Sequence, residues 1–282
     1  MAKKTKAWLI IAASLILSGG ILFAGVMMAL DWDFSKLTTV EFEVNEYEVI
    51  EPYKSIHIDT GASDVMIIPS DVRKTTVTCC EQENMKHTVA VVDGTLTIKL
   101  EDTRAFHHHI AINFGKPWIK VYIPRGEYGD LSIRTTTGDV DIQYGFNFDN
   151  IDVSLTTGDI VCNAYAKKDI RLKVTTGDIC MENTRAWNAV LRLTTGDVYM
   201  NNVVLSGDLN MRGKTGDVRM DDCDAKDIFI QLTTGDVFCR FLSYKEVTAD
   251  TNTGRVDFPL YVTGNPCTIQ TTTGNIIVTY QS

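Results

Sequence analysis

Basic charge is in short supply in this chain. Lys and Arg number 27 against 36 Asp and Glu, for a net charge of −9. Lys3, Lys4 and Lys6 contribute +3 of that, which leaves −12 for the rest. An acidic surface repels phosphate, which excludes nucleic acid as a ligand and argues against basic adhesion to anionic lipid. Histidine is scarce as well, with five residues, three of them together at His107, His108 and His109. Long inserted loops are missing from the second half. Enzymes built on a β-helix use such loops to gather acids with Arg or Lys on one face, and no such cluster is visible. Catalysis therefore has no site to rest on, and no cofactor is expected.

Charge of either sign is absent from residues 7–30. That run is long enough to cross a bilayer core of about 30 Å, with Trp8 and Trp32 at the two interfaces. The lysines before it and Asp31 and Asp33 after it place the N-terminus in the cytoplasm and the rest outside. A cleaved signal peptide is the rival reading, against which Met27 stands where a small residue belongs before a cut after Ala29. The expected organisation is a cytoplasmic tail (1–6), a transmembrane anchor (7–30), an N-terminal β region and cap (31–130) and a repeat region (131–282).

The repeat dominates what is present. Thr-Thr-Gly-Asp or a near variant recurs at Gly138, Gly158, Gly177, Gly196, Gly216, Gly235, Gly254 and Gly274. A constant period of about 19–20 residues means stacked copies of one unit, hence a β-solenoid. Before each glycine, apolar residues alternate with polar ones, as in Ile151, Val153 and Leu155. After it they alternate again with shifted parity, as in Ile160 and Cys162. Period two marks strands with one buried face, and the shift marks a corner where glycine takes a positive φ. Each rung thus reads as two strands around a corner and a less regular return of about eight residues. Stacked at about 4.8 Å, seven intervals span about 34 Å, coiled right-handed by the rule for crossovers. Val89 to Leu100, broken by Asp93-Gly94, reads as a hairpin. Ile56, Ile58, Gly61, Val65 and Ile67 read as a first rung with a wider corner. No cap is legible after the last strand, Asn275 to Tyr280.

The anchor, the Gly61-Ala-Ser-Asp-Val turn, the strand after Asp93-Gly94 and the Thr-Thr-Gly-Asp rungs together resemble a bacterial β-strand-repeat family of candidate adhesins, over roughly residues 40–280. The resemblance implies a cell-envelope β-solenoid, in some members linked to envelope stress, with no catalytic residues to carry over. The expected function is accordingly an adhesin-like binding or envelope-sensing module, not an enzyme, whose partner is a cell-envelope glycan or protein. A structural stalk or assembly partner of a membrane complex is the alternative, and a polysaccharide-active enzyme comes last.

Several residues could carry chemistry. Asp139, Asp159, Asp178, Asp197, Asp217 and Asp236 stack as an acid ladder, with Arg255 and Asn275 taking the next two places. Neighbouring carboxylates at that spacing repel by about 0.9 kcal/mol in water. Either each accepts N–H bonds at its own corner, or the row binds calcium, which favours clustered oxygens. The threonines before the glycines (Thr137, Thr157, Thr176, Thr195, Thr215, Thr234, Thr253, Thr273) form a parallel ladder, read as like-to-like hydrogen bonding. His107 and His109 share a strand face and form a possible metal pair without a third ligand. Tyr199 and Phe238 point outward and are candidates for a binding surface. Seven cysteines cannot all pair: the five in residues 131–282 are expected as free thiols that act as small hydrophobes, a bridge between adjacent Cys79 and Cys80 would be strained, and no spacing supports a thiol nucleophile with a histidine partner.

Overall fold

The computed structural model describes residues 3–33, 42–82, 85–102, 116–259 and 263–281. His107 and His109 lie outside the described residues. Two units are distinguished: an N-terminal one within residues 1–42, and a β unit of residues 43–103 and 116–282. The first is a helix, Lys3–Ala29, whose segment Trp8–Ala29 is long and apolar enough to cross a bilayer.

The β unit is a solenoid. Its strands are parallel and in register, so like residues stack: Ile151 on Ile170, Val153 on Leu172, Ile160 on Ile179. Inward side chains along each strand are buried, among them Ile133, Val140, Ile142, Leu191 and Met211 at 0–1% exposure, and they form one continuous core. Burying such a side chain contributes about 1.5–3 kcal/mol, and the next rung supplies the cover that a single rung lacks.

Three sides enclose that core. The first holds long strands such as Asn150–Thr157 and Asp169–Thr176, and the second shorter ones such as Ile160–Cys162 and Ile179–Glu182. The third side, expected as an irregular return, contains short paired strands: Gly126–Glu127, Phe146–Phe148 and Tyr165–Ala166, then Arg185–Ala186 with Val204–Leu205. Two further corners carry ladders that the sequence pattern does not advertise. Asn183, Asn202 and Asp222 take positive φ near 50°, and Asn202 Nδ2 donates to Asn183 Oδ1 at 2.7 Å. At the start of the long strands, Asp130, Asn150, Asp169 and Asn188 alternate acid with amide. Asn150 donates to Asp130 at 2.7 Å and Asn188 to Asp169 at 3.0 Å. This alternation removes the like-charge repulsion of an all-acid row.

The rungs do not stack in chain order, which corrects the sequence-based ladder at its C-terminal end, while the first rung of Ile56 to Ile67 stands where the sequence placed it, beside the Gly138 rung. The strand Ser55–Asp59 pairs on one side with Asp130–Thr137 and on the other with Thr95–Asp102, so a later segment lies outside the first rung. At the other end, Asn265–Thr273 is inserted between Asp227–Gln231 and Lys245–Thr253. The chain runs past the growing stack, lays down its outermost rung, and returns to fill the gap. The final strand Ile276–Tyr280 therefore pairs on both sides, with Val237–Phe241 and Val256–Asp257, and needs no cap beyond it. In the outer rung Ala249 stands opposite Ile269 and loses less by being half-covered than the isoleucine would. Arg255 and Asp257, paired at 2.6 Å, put charge on the exposed edge and discourage further strand addition. Lys245 locks this end. Its buried Nζ donates to Ala225 O at 2.5 Å and pairs with Asp224, while Tyr280 OH donates to Lys245 O at 3.1 Å.

The opposite end is closed by antiparallel strands. Thr75–Gln82 runs against Trp118–Pro124 and pairs with Phe42–Val49. Met85–Val92 runs against Thr95–Asp102, turning at Asp93-Gly94 with φ of 48° and 71°, the two positive values a two-residue hairpin turn requires. All seven cysteines are unpaired.

Candidate functional site

The acid ladder starts one rung earlier than its sequence signature, at Asp64. Asp139 N–H donates to Asp64 Oδ1 at 2.9 Å, Asp159 to Asp139 at 2.9 Å and Asp178 to Asp159 at 2.8 Å. Asp197 donates to Asp178, and Asp217 to Asp197, both at 2.7 Å, and Asp236 to Asp217 at 2.8 Å. Each carboxylate thus accepts the amide N–H of the next rung, not of its own corner as the sequence reading had it. The ladder ends through Asn275, whose N–H donates to Asp236 at 2.6 Å, and then Arg255, which donates to Asn275 Oδ1 at 3.0 Å. Arg255 is the terminal member and Asn275 the one before it, the reverse of chain order. Its guanidinium goes to Asp257, not to the acids. The threonine ladder is joined through the main chain, with Gly138 N–H donating to Thr157 O and Gly158 N–H to Thr176 O, each at 3.0 Å. It is the inward Thr135, Thr251 and Thr271 whose hydroxyls bond to corner glycine carbonyls, at 3.0–3.3 Å.

Asn275 shows that an amide oxygen serves in this row. Asp178→Asn is therefore expected to change stability by less than about 0.5 kcal/mol. Asp178→Ala strands the Asp197 N–H and is expected to cost about 1 kcal/mol. Melting curves of the two variants, with calcium and with magnesium, check this. A shift specific to calcium in the parent would make the row a cation site.

Tyr199 and Phe238 stand in one outward column, separated by Arg219, so the structure does not bring them together. Tyr199 OH donates to Asp197 Oδ2 at 3.0 Å, a bond to a carboxylate that pushes its ionisation upward, and Phe238 is half-buried. Tyr199 lines a shallow groove of about 340 Å³ with Glu182, Arg219 and Arg240.

A larger groove, of about 750 Å³, lies on the third side. Tyr144 (67% exposed) and Tyr165 (42% exposed) give it aromatic surface, and Asn147, Asn163 and Glu182 give it polar groups. Arg125 holds Tyr144, with the guanidinium 4.8 Å from the ring centroid. Gly126 in the floor leaves open space where a Cβ would stand. Sequence reasoning missed this groove because its residues sit in the irregular return.

It also missed a buried polar cluster in the cap. On strand Thr75–Gln82, Thr75, Val77, Cys79 and Glu81 share the inward face. Glu81 is 1% exposed and saturated with donors. Oε1 accepts from Asn45 Nδ2 at 2.8 Å and Tyr47 OH at 3.2 Å, and Oε2 from His87 N–H at 2.7 Å, with His87 Nδ1 at 2.8 Å. His87 Nε2 lies 2.9 Å from Thr60 Oγ1. Burial, and then the Glu81 carboxylate, push the Tyr47 hydroxyl up to about 12 and the Cys79 thiol likewise to about 12. A cysteine and a histidine meet here without any sequence spacing to announce it, and burial holds the thiol neutral. The available signal was Glu81 itself, a charge on the inward parity of a strand.

A three-sided stack of parallel rungs with a uniform corner defines the molecule as a β-solenoid. The Toastrack DUF4097 family profile matches residues 53–213, more than half the chain, and the chain belongs to that family. Among solved structures, a candidate adhesin from Bacteroides fragilis NCTC 9343 superposes with a TM-score of 0.52 at 16% identity, covering 86% of this chain and 97% of its own. A candidate adhesin from Parabacteroides merdae ATCC 43184 gives 0.46 at 13% identity, covering 87% and 98%. A candidate lipid-binding protein from Parabacteroides distasonis ATCC 8503 gives 0.37 at 13%, covering 87% and 98%. These neighbours are described as adhesins or binding proteins, and the likeness to the first is one of fold. No curated protein matches the chain.

Proposed function

We propose that the chain is a membrane-anchored, extracytoplasmic, adhesin-like binding module without catalytic activity, and that its ligand is an uncharged cell-envelope glycan held in the groove of Tyr144 and Tyr165. Residues 1–6 form the cytoplasmic tail, 7–30 the single-pass anchor, 31–130 the N-terminal region and cap, and 131–282 the repeats. The observation that carries this reading is the groove: exposed aromatic rings beside amides on an otherwise acidic rod. Pyranose rings offer C–H faces to aromatic rings and hydroxyls to amide and carboxylate groups, while Glu127 and Glu182 beside the groove disfavour polyanions. The apolar helix, with lysines before it and acids after it, supports the orientation.

Cells displaying the full chain are expected to retain purified neutral cell-wall glycan, and protease added outside should abolish retention while sparing the N-terminal tail. Tyr165→Ala and Tyr144→Ala, both at exposed positions, are expected to weaken binding roughly tenfold each without moving the melting temperature, and Tyr199→Ala to leave it intact. Glycan binding that is absent from the parent, or indifferent to both tyrosines, overturns the assignment.

A further inference from the structure

The cap cluster lies outside the glycan groove, and it has the makings of a second site. Cys79, Glu81 and His87 are all buried, and one ligand atom from each lies within 4.8 Å of the other two. We propose that these three side chains bind a single transition-metal ion of the zinc type, through Cys79 Sγ, Glu81 Oε2 and His87 Nδ1. Calcium and magnesium call for sets of oxygen ligands, whereas thiolate, imidazole and carboxylate together select zinc and its neighbours.

The far side of each polar ligand is already held. Glu81 Oε1 is engaged by Asn45 and Tyr47, while Oε2 accepts the His87 main-chain N–H and faces His87 Nδ1. His87 Nε2 faces Thr60 Oγ1, which in turn bonds to Ser63 Oγ at 3.2 Å. Metal-bound imidazoles and carboxylates are oriented by such outer contacts, and here they come from Asn45, Tyr47 and Thr60. Two strands of the cap carry the ligands, Thr75–Gln82 with Cys79 and Glu81 and Met85–Val92 with His87.

Charge and protons balance. The Cys79 S–H proton leaves to solvent as the sulfur becomes a thiolate. The proton between His87 Nδ1 and Glu81 Oε2 likewise leaves to solvent as the ion takes its place, and the imidazole, neutral with its one N–H at Nε2, faces Thr60 Oγ1. A divalent ion with one thiolate and one carboxylate sums to zero, so the occupied site buries no net charge. A site this enclosed has no room for a substrate, so the ion ties the cap strands together and performs no reaction.

The test is titration of the full chain in detergent, stripped of metal, with Co2+. One equivalent is expected to produce the thiolate-to-cobalt charge-transfer band in the near ultraviolet together with visible ligand-field bands. Zn2+ should bleach both, and Ca2+ should not. Cys79→Ala should lose the charge-transfer band, whereas Cys80→Ala, at the neighbouring position on the opposite face, should keep it. The parent alone decides the matter if Cys79→Ala fails to fold: no charge-transfer band up to ten equivalents of Co2+ overturns the site. A band that persists in folded Cys79→Ala overturns it equally.

Discussion

Gly196→Ala is expected to destabilise the solenoid by at least about 3 kcal/mol, and Gly196→Val by more. Two effects add. The φ of 137° is one that residues with a Cβ rarely adopt, which costs about 1–3 kcal/mol by itself. A Cβ at 196 would also stand well inside contact distance of the Gly177 carbonyl, with Asp178 Oδ1 3.0 Å away. That carbonyl is main chain of the rung below and cannot swing aside without breaking the ladder. The corner sits mid-stack, where neighbouring rungs are bound on both sides, so relief by fraying is unavailable. Arg192→Ala, at an exposed position on the same rung, is expected to stay within about 0.5 kcal/mol. Thermal melts of the two variants check the contrast, and equal effects would remove the corner from the account.

The same corner explains what the sequence makes legible. Residues such as Val153, Leu155 and Ile160 announce strand, parity and turn because the rung repeats them beside an invariant glycine. Stack order is a different matter. Asn275 and Arg255 obey the same rung grammar wherever their rungs are placed, so the interleaving at the C-terminal end leaves almost no trace. Its one trace is energetic, the small Ala249 in a column otherwise filled by Ile, Val, Leu and Met. The third side is hidden for a related reason. Its inward pairs, Phe146 with Phe148 and Val203 with Leu205, fall at shifting distances from their glycines, and the period dissolves. The groove of Tyr144 and Tyr165 goes with it. The cap cluster joins Asn45, Tyr47, Thr60, Glu81 and His87, contacts between strands far apart in the chain, which no local pattern reports. Glu81 alone broke the alternation and could have been questioned.

Glu81→Ala is expected to be the most damaging substitution in the cap, lowering stability by about 3–5 kcal/mol in the metal-free protein. Four donors converge on this carboxylate: Asn45 Nδ2, Tyr47 OH, and the main-chain and ring N–H groups of His87. Removing one member of a buried polar pair leaves its partners without water or acceptor, which costs more than the pair itself contributed. Glu81→Gln keeps the shape but turns an amide nitrogen toward two of the donors, so a smaller loss of about 1–3 kcal/mol is expected. The exposed Glu48, paired with Lys74 at 2.5 Å, provides the contrast: both side chains are about half exposed, and Glu48→Ala should cost less than about 1 kcal/mol. Because solenoid rungs couple mainly to their neighbours, the damage should be local before it is global. Amide exchange in Glu81→Ala is expected to accelerate first in Phe42–Val49, Thr75–Gln82 and Met85–Val92, while Asp169–Thr176 and Asn188–Thr195 keep their protection until general unfolding. Uniform acceleration along the rod would mean that the cluster supports the whole stack, and unchanged exchange in the three cap strands would mean that it supports nothing.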